Sequence, residues 1–168
     1  MQENSKDKIH LYYREYYRAL FNYGIKLIHN EELVRDCIQD CFYDLWAYPE
    51  KFDKVEKPKN YLIGTLRNLI LKQIAQHKKN SELHVIDSFE ISVEDAIVDH
   101  ETTTINTQKL HEAIHVLTPK QKEVLYLRFY EGFSYDEIEK ITDTNYQSIR
   151  NLLSKTIKNL RKAVLMFF

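Results

Sequence analysis

Apolar residues recur at steps of three and four near the start of the chain: Ile9, Tyr12, Tyr13, Tyr16, Tyr17, Leu20, Tyr23 and Leu27. That period predicts an amphipathic helix over about residues 7–29. Asn30 breaks the pattern and is suited to cap the next helix. A second stripe, Leu33, Val34, Cys37, Ile38, Cys41, Phe42 and Leu45, predicts a helix over about 31–47. Its other face carries Glu32, Asp36, Gln39, Asp40 and Asp44. Pro49 and Pro58 bracket a polar stretch with three lysines that reads as a loop. A third helix, over about 58–78, turns Leu62, Leu66, Leu69, Ile70 and Ile74 inward and ends basic, at Lys72, His77, Lys78 and Lys79.

The last third is more sharply punctuated. Thr118-Pro119 supplies an N-cap followed by proline at the first helical position, and Gln121 completes a capping box. The helix over 119–130 stops before Gly132. Ser134 and Glu137 form a second capping box, opening a short helix to about Ile141. Thr142-Asp143-Thr144 is a tight turn. Asn145 caps a final helix whose inner stripe is Ile149, Leu152, Leu153, Ile157, Leu160 and Val164. A short helix, a three-residue turn and a longer helix form the helix-turn-helix layout.

Composition agrees with an all-α fold. Of 168 residues only three are Gly and three Pro, where average usage would give about twelve glycines. Turn-rich β architectures need more of both. The net charge of −1 hides an uneven distribution. Residues 1–80 carry 14 basic and 11 acidic side chains, and residues 108–168 carry 10 and 7. Residues 81–107 carry seven acids and no Lys or Arg. They read as an acidic linker between two helical domains. From residue 144 onward the charged groups are Arg150, Lys155, Lys158, Arg161 and Lys162, with no acid. A helix that meets phosphates needs that sign. The polar start, MQENSKDKIH, is no signal peptide, and no apolar run is long enough to span a bilayer, so a cytoplasmic protein is expected. Cys37 and Cys41 lie on an apolar face and read as small buried hydrophobes.

Two runs carry a family resemblance. LTPKQKEVLYLRFYEGFSYDEIEKITDTNYQSIRNLLSKTIKNLR resembles the promoter-binding fourth region of bacterial sigma factors. VRDCIQDCFYDLW, followed by KPKNYLIGTLRNLI, resembles their second region. With the acidic linker and the length, the chain resembles the two-domain extracytoplasmic-function group. The resemblance implies domains over 1–80 and 108–168 joined by the linker 81–107, and a protein that performs no bond chemistry and holds no cofactor or metal. It implies three partners: RNA polymerase core enzyme, promoter DNA and an anti-sigma protein, which in this group is frequently membrane-bound.

It also implies site residues. On the second helix, Asp36, Gln39, Asp40 and Asp44 would meet the polymerase. Phe52, Asn60, Tyr61 and Asn68 would contact the minus-ten element, with Lys72, Lys78 and Lys79 on phosphates. On the last helix, Gln147, Ser148, Arg150, Asn151, Ser154 and Lys155 would read the minus-thirty-five element in the major groove. Arg and Asn can bond guanine and adenine edges in pairs. Trp46 also matches the family and is expected at or near the core. Three positions depart from the pattern. Glu139 stands where a small residue is usual, predicting looser helix packing. Asp143 stands where the turn usually carries Gly, and Leu152 where a basic residue is common.

Two other readings remain open on the sequence. One is a helix-turn-helix regulator that acts without polymerase. The other rests on His111-Glu112-Ala113-Ile114-His115, which spells H-E-x-x-H, the helix motif of zinc hydrolases. A catalytic zinc needs a third protein ligand. No His follows His115.

Overall fold

The computed structural model describes residues 2–52, 55–77, 88–92 and 104–165. The chain divides into two compact units, Met1–Val85 and Ile86–Phe168. Every regular element among the described residues is helical, in agreement with the all-α expectation.

The first unit contains α1 (Gln2–Leu27), α2 (Glu31–Ala47), the single turn α3 (Pro49–Phe52) and α4 (Pro58–His77). Helices α1, α2 and α4 pack pairwise against one another. The stripes read from the sequence supply the core: Leu20, Tyr23 and Leu27 from α1, Val34, Cys37, Ile38 and Cys41 from α2, Leu62, Leu66 and Ile70 from α4. Ile63 and Arg67 are buried as well, so α4 is covered over more than one stripe. Asn30 caps α2 as expected, its side chain accepting from the Leu33 backbone N–H at 3.1 Å. The expected loop after Pro49 instead begins with α3. Proline is pre-set for a first helical turn, and that turn carries Phe52 inward.

At Gly24, α1 packs closely on α2. A Cβ there would stand 2.6 Å from Val34 Cγ1. Valine is stiff about χ1 and cannot swing aside without strain. Overpacking of this kind costs about 1–3 kcal/mol, against a helix-propensity gain of up to about 1 kcal/mol for Gly→Ala. Gly24→Ala is therefore expected to lower stability by about 1–2 kcal/mol, read as an earlier urea midpoint with an unchanged slope.

Cys37 and Cys41 are free and buried, as small core hydrophobes. Burial, reinforced by Asp40 and Asp36, pushes the Cys37 thiol up to about 11. Burial, then Cys37, Asp40 and Asp44, push Cys41 up to about 12. Both values lie above the ordinary thiol, so the fold favours the protonated form. That contribution is complete below the unfolded thiol pKa, fades above it, and is gone once pH has passed the folded values. Iodoacetamide at pH 8 should label neither cysteine in the native chain and both in urea.

The second unit contains α5 (Thr104–His115), α6 (Pro119–Leu125), α7 (Tyr135–Thr142) and α8 (Tyr146–Leu165). Both capping boxes form. Thr118 and Gln121 exchange bonds of 2.9 and 3.3 Å, and Ser134 and Glu137 exchange bonds of 2.7 and 3.3 Å. The expected uninterrupted helix over 119–130 does not hold to its end. Residues Tyr126–Tyr130 form a π-turn. The Glu131 N–H reaches back five residues to the Tyr126 carbonyl at 3.1 Å, and the Phe133 N–H reaches Leu127 at 3.0 Å. Gly132, at φ +76°, lets the chain leave that wider turn. The Tyr126 hydroxyl donates to Glu131 at 2.9 Å, and the Tyr126 and Tyr130 rings stack at 4.7 Å.

Residues Ser88–Ser92 lie within the span expected to be linker, yet they belong to this unit. Phe89 is 0% exposed and its ring sits 5.9 Å from that of Tyr126. Glu90 accepts from Lys122 Nζ at 3.3 Å. The Lys122 side chain is 7% exposed and that of Glu90 52%. Five residues of the acidic stretch thus form a strap on the second unit. Helix α5 also begins four residues earlier than the expected domain start.

Candidate nucleic-acid and partner-protein interfaces

On α2 the apolar period that fills the core fixes what faces outward. Asp36, Gln39, Asp40 and Asp44 are all exposed. With Glu31 and Glu32 they make a face with five acids besides the amide, and Arg35 is its one cation. Arg35 is already engaged: it bonds Glu31 at 3.0 Å and lies 5.1 Å from the Phe21 ring. The face therefore carries net negative charge, complementary to a basic surface.

Beside it the structure adds aromatic surface that the sequence pattern does not assign. An open groove of about 750 Å³ runs between α1 and α2, lined among others by Tyr13, Tyr17, Gln39, Tyr43 and Trp46. Trp46 is 53% exposed, which corrects its expected place at or near the core. Tyr43 is also exposed. The available signal was positional: Tyr43 is four residues past Gln39, and Trp46 three past Tyr43 and seven past Gln39, on the polar flank of α2. Large amphipathic rings beside charge are the composition of protein interfaces.

The second candidate surface of this unit lies on α4. Tyr61, Asn68 and Lys72 are separated by seven and four residues, share one face and are exposed. Asn60 is half-buried at the start of the helix. Phe52 departs from its expected role. It is 3% exposed, packed edge-on against Tyr12 at 5.3 Å and 5.8 Å from Tyr61. Its ring has no face left for a base and serves instead to hold the rings of Tyr12 and Tyr61. Lys78 and Lys79 lie outside the described residues.

In the second unit α7, the turn and α8 set the candidate nucleic-acid surface. Asp143 adopts the left-handed conformation, φ 50° and ψ 41°, that a glycine usually supplies. Asn145 accepts from the Ser148 N–H at 2.8 Å and so caps α8, as expected. Glu139 reverses its expected effect. Its carboxylate accepts from the Tyr146 N–H at 3.0 Å, tying the two helices together rather than loosening them. Ile149 and Leu153 are buried, and Leu152 is half-buried. Gln147, Ser148, Arg150, Asn151, Ser154 and Lys155 are all exposed. The Gln147 amide donates to Asn151 Oδ1 at 3.1 Å, which restricts the Asn151 rotamer before any partner arrives.

His111, Glu112 and His115 are exposed on α5, with the imidazoles 6.4 Å apart. No three potential ligands converge among the described residues. No described helix is long and apolar enough to cross a membrane.

Comparison with known proteins agrees in order and extent. Residues 12–80 match sigma-70 region 2, and residues 107–160 match sigma-70 region 4. The RNA polymerase sigma factor SigV of Bacillus subtilis is 25% identical over 149 residues, covering 88% of this chain and 83% of the relative. The ECF RNA polymerase sigma factor SigX of the same organism is 19% identical over 167 residues, covering 94% and 84%. The sigma factor RpoE of Bartonella quintana, solved with the anti-sigma factor NepR, shares the fold with a TM-score of 0.60 at 20% identity, covering 91% of this chain and 96% of that one. An acidic, aromatic-flanked helix lies under the first family region and a capped helix-turn-helix under the second, and the two regions, in this order and together over most of the chain, show that it belongs to the sigma-70 family of RNA polymerase sigma factors.

Proposed function

We propose that this chain binds RNA polymerase core enzyme, directs it to specific promoters and assists melting of the duplex there. One observation carries the reading: the chain joins an outward acidic face on α2 and an outward polar and basic face on α8, in two separately packed units. A regulator that acts on DNA alone has use for the second face and none for the first. Within this reading 1–80 is the unit that meets polymerase and the minus-ten element, 81–107 the connection, of which Ser88–Ser92 is docked on the second unit, and 108–168 the minus-thirty-five unit, whose first helix starts at Thr104.

Asp36, Gln39, Asp40 and Asp44 meet the polymerase, with Tyr43 and Trp46 as apolar flank. Tyr61 and Asn68 face the minus-ten strand, Asn60 stands at the head of the same helix, and Lys72, Lys78 and Lys79 supply phosphate contacts. Gln147, Ser148, Arg150, Asn151, Ser154 and Lys155 face the minus-thirty-five element. The chain lowers no chemical barrier of its own; base capture and duplex binding shift an equilibrium toward the open promoter. It works in the cytoplasm, where the polymerase is. An anti-sigma protein is its expected inhibitor, and the solved relative bound to one supports that assignment.

Run-off transcription with core enzyme on genomic fragments tests the function. The expected result is transcripts that start at discrete sites and require both proteins. Specific duplex binding by the free chain, with no transcripts and no core binding, would replace this reading with that of a polymerase-independent regulator.

A further inference from the structure

We propose that Tyr12 and Lys8 of α1 extend the single-strand surface of α4: a second unpaired base of the promoter stacks on the Tyr12 ring, and Lys8 holds a phosphate beside it. The inference deepens the function proposed above and rests on it. Helix α1 sends its tyrosines to two different places. Tyr13 packs with Tyr17 at 5.2 Å and with Phe42 of α2 at 5.0 Å, in the groove beside the acidic face. Tyr12 instead meets Phe52 edge-on at 5.3 Å, and Phe52 meets Tyr61 of α4 at 5.8 Å. Phe52 is buried and joins two tyrosines that both keep exposed surface.

Tyr61 shares its face with Asn68 and Lys72, so the surface that begins there continues through Phe52 onto α1. Its length suits a nucleic-acid strand. The two outer rings can be no farther apart than the two ring-to-ring steps through Phe52. A strand rises about 3.4 Å per nucleotide in the duplex and more when extended, so bases on Tyr61 and Tyr12 would be about one to three nucleotides apart. Successive bases stacked on separate rings along a basic track are how proteins hold single strands without reading sequence. The two ends of the track set its direction. Lys8 is exposed, and its Nζ stands 5.9 Å from the centre of the Tyr12 ring. That hold is weak at an exposed site, so a base can displace the ammonium from the ring and the ammonium can turn to a phosphate. One turn further along α1, Tyr16 stacks on Tyr12 at 5.7 Å and its hydroxyl donates to Glu15, a carboxylate that repels phosphate. The strand therefore runs from Tyr61 across Tyr12 toward Lys8, away from Tyr16.

The test uses the full chain with core enzyme on a promoter mapped by run-off transcription. The probe is a fork, duplex upstream of the minus-ten element and with its non-template strand unpaired from there on. Abasic sites are placed one at a time along that strand. Tyr12→Leu keeps an apolar cover on Phe52 and removes the π face, so it should weaken binding to the intact fork about tenfold. At one abasic position that loss should vanish, and the position should lie about one to three nucleotides from the one that cancels the loss in Tyr61→Leu. Tyr12→Phe should bind as the unaltered chain does. Lys8→Ala should flatten the salt dependence by about 0.7 units of slope, the share of one phosphate on a single strand. Iodouracil scanned along the same strand should crosslink to Tyr12 in the unaltered chain at one position, a readout that needs no variant to fold. A merely structural Tyr12 would weaken intact and abasic forks alike. That result, no loss in Tyr12→Leu, or no crosslink at any position would overturn the inference while the functional reading stands. A salt slope unchanged in Lys8→Ala would overturn the path toward Lys8. Failure of the unaltered chain and core enzyme to bind the fork would overturn the functional reading, and this inference with it.

Discussion

Asp40→Arg should abolish measurable binding to core polymerase while leaving the fold intact. Asp40 is exposed at the centre of the acidic face of α2, between Asp36 and Asp44. An isolated exposed charge is worth little in the free protein, and substitutions of this kind usually change stability by less than about 0.5 kcal/mol. Burial against a basic partner alters the scale. Removing one member of an interfacial charge pair costs about 2–5 kcal/mol, and reversing the sign adds repulsion. The expected loss is on the order of 100-fold or more in affinity. Co-elution with core enzyme measures it, and an unchanged urea midpoint shows that the chain remains folded. Asp40→Asn should fall between. An Asp40→Arg chain that still recruits polymerase would remove α2 from the interface.

Arg150→Ala should be the most damaging single change on the reading helix. Arg150 is exposed beside Asn151 on α8, whose inner face is locked by Ile149 and Leu153. A paired contact to a base edge discriminates by about 1–3 kcal/mol, or roughly five- to 150-fold in promoter preference. Output should fall on the natural promoter and fall less on one altered at the matching base pair. Gln147→Ala should act more weakly, by releasing Asn151 from its 3.1 Å bond. Lys155→Ala should lower output on all promoters alike and flatten the salt dependence by about one unit of slope. A uniform loss for Arg150→Ala would make it a phosphate contact instead.

Much of this was legible in the sequence because the relevant physics is local. The stripe from Val34 to Leu45 fixes both the buried and the exposed face of α2, so Asp36 and Asp40 could be placed outward without coordinates. The caps at Thr118, Ser134 and Asn145 need only three residues of context, and all three form. Where the deciding partner is distant, the pattern is silent. Phe89 and Glu90 sit in an acidic stretch with no period, and their respective partners, Tyr126 and Lys122, are more than thirty residues away. The π-turn depends on Gly132 and on a bond between Tyr126 and Glu131, neither of which alters the apolar spacing. Residue type misled at two sites. Trp46 reads as core but lies on the rim of a groove, and Phe52 reads as a free ring but is turned inward by a single helical turn after Pro49.

The bond from Tyr146 to Glu139 has a consequence for how the second unit grips DNA. A helix start ordinarily offers unpaired N–H groups and a partial positive charge, a ready seat for a phosphate. Here two of the four terminal N–H groups of α8, those of Tyr146 and Ser148, already point at protein acceptors. One of those acceptors is a carboxylate that repels the backbone of the duplex. The leading end of α8 is thus spent on holding the fold, and under the proposed function anchorage is expected from Lys155, Lys158, Arg161 and Lys162, from the middle of the helix onward. A helix that enters the groove in this way has a neutralised tip and a charged shaft, so ionic strength should govern how long it stays far more than which bases it chooses.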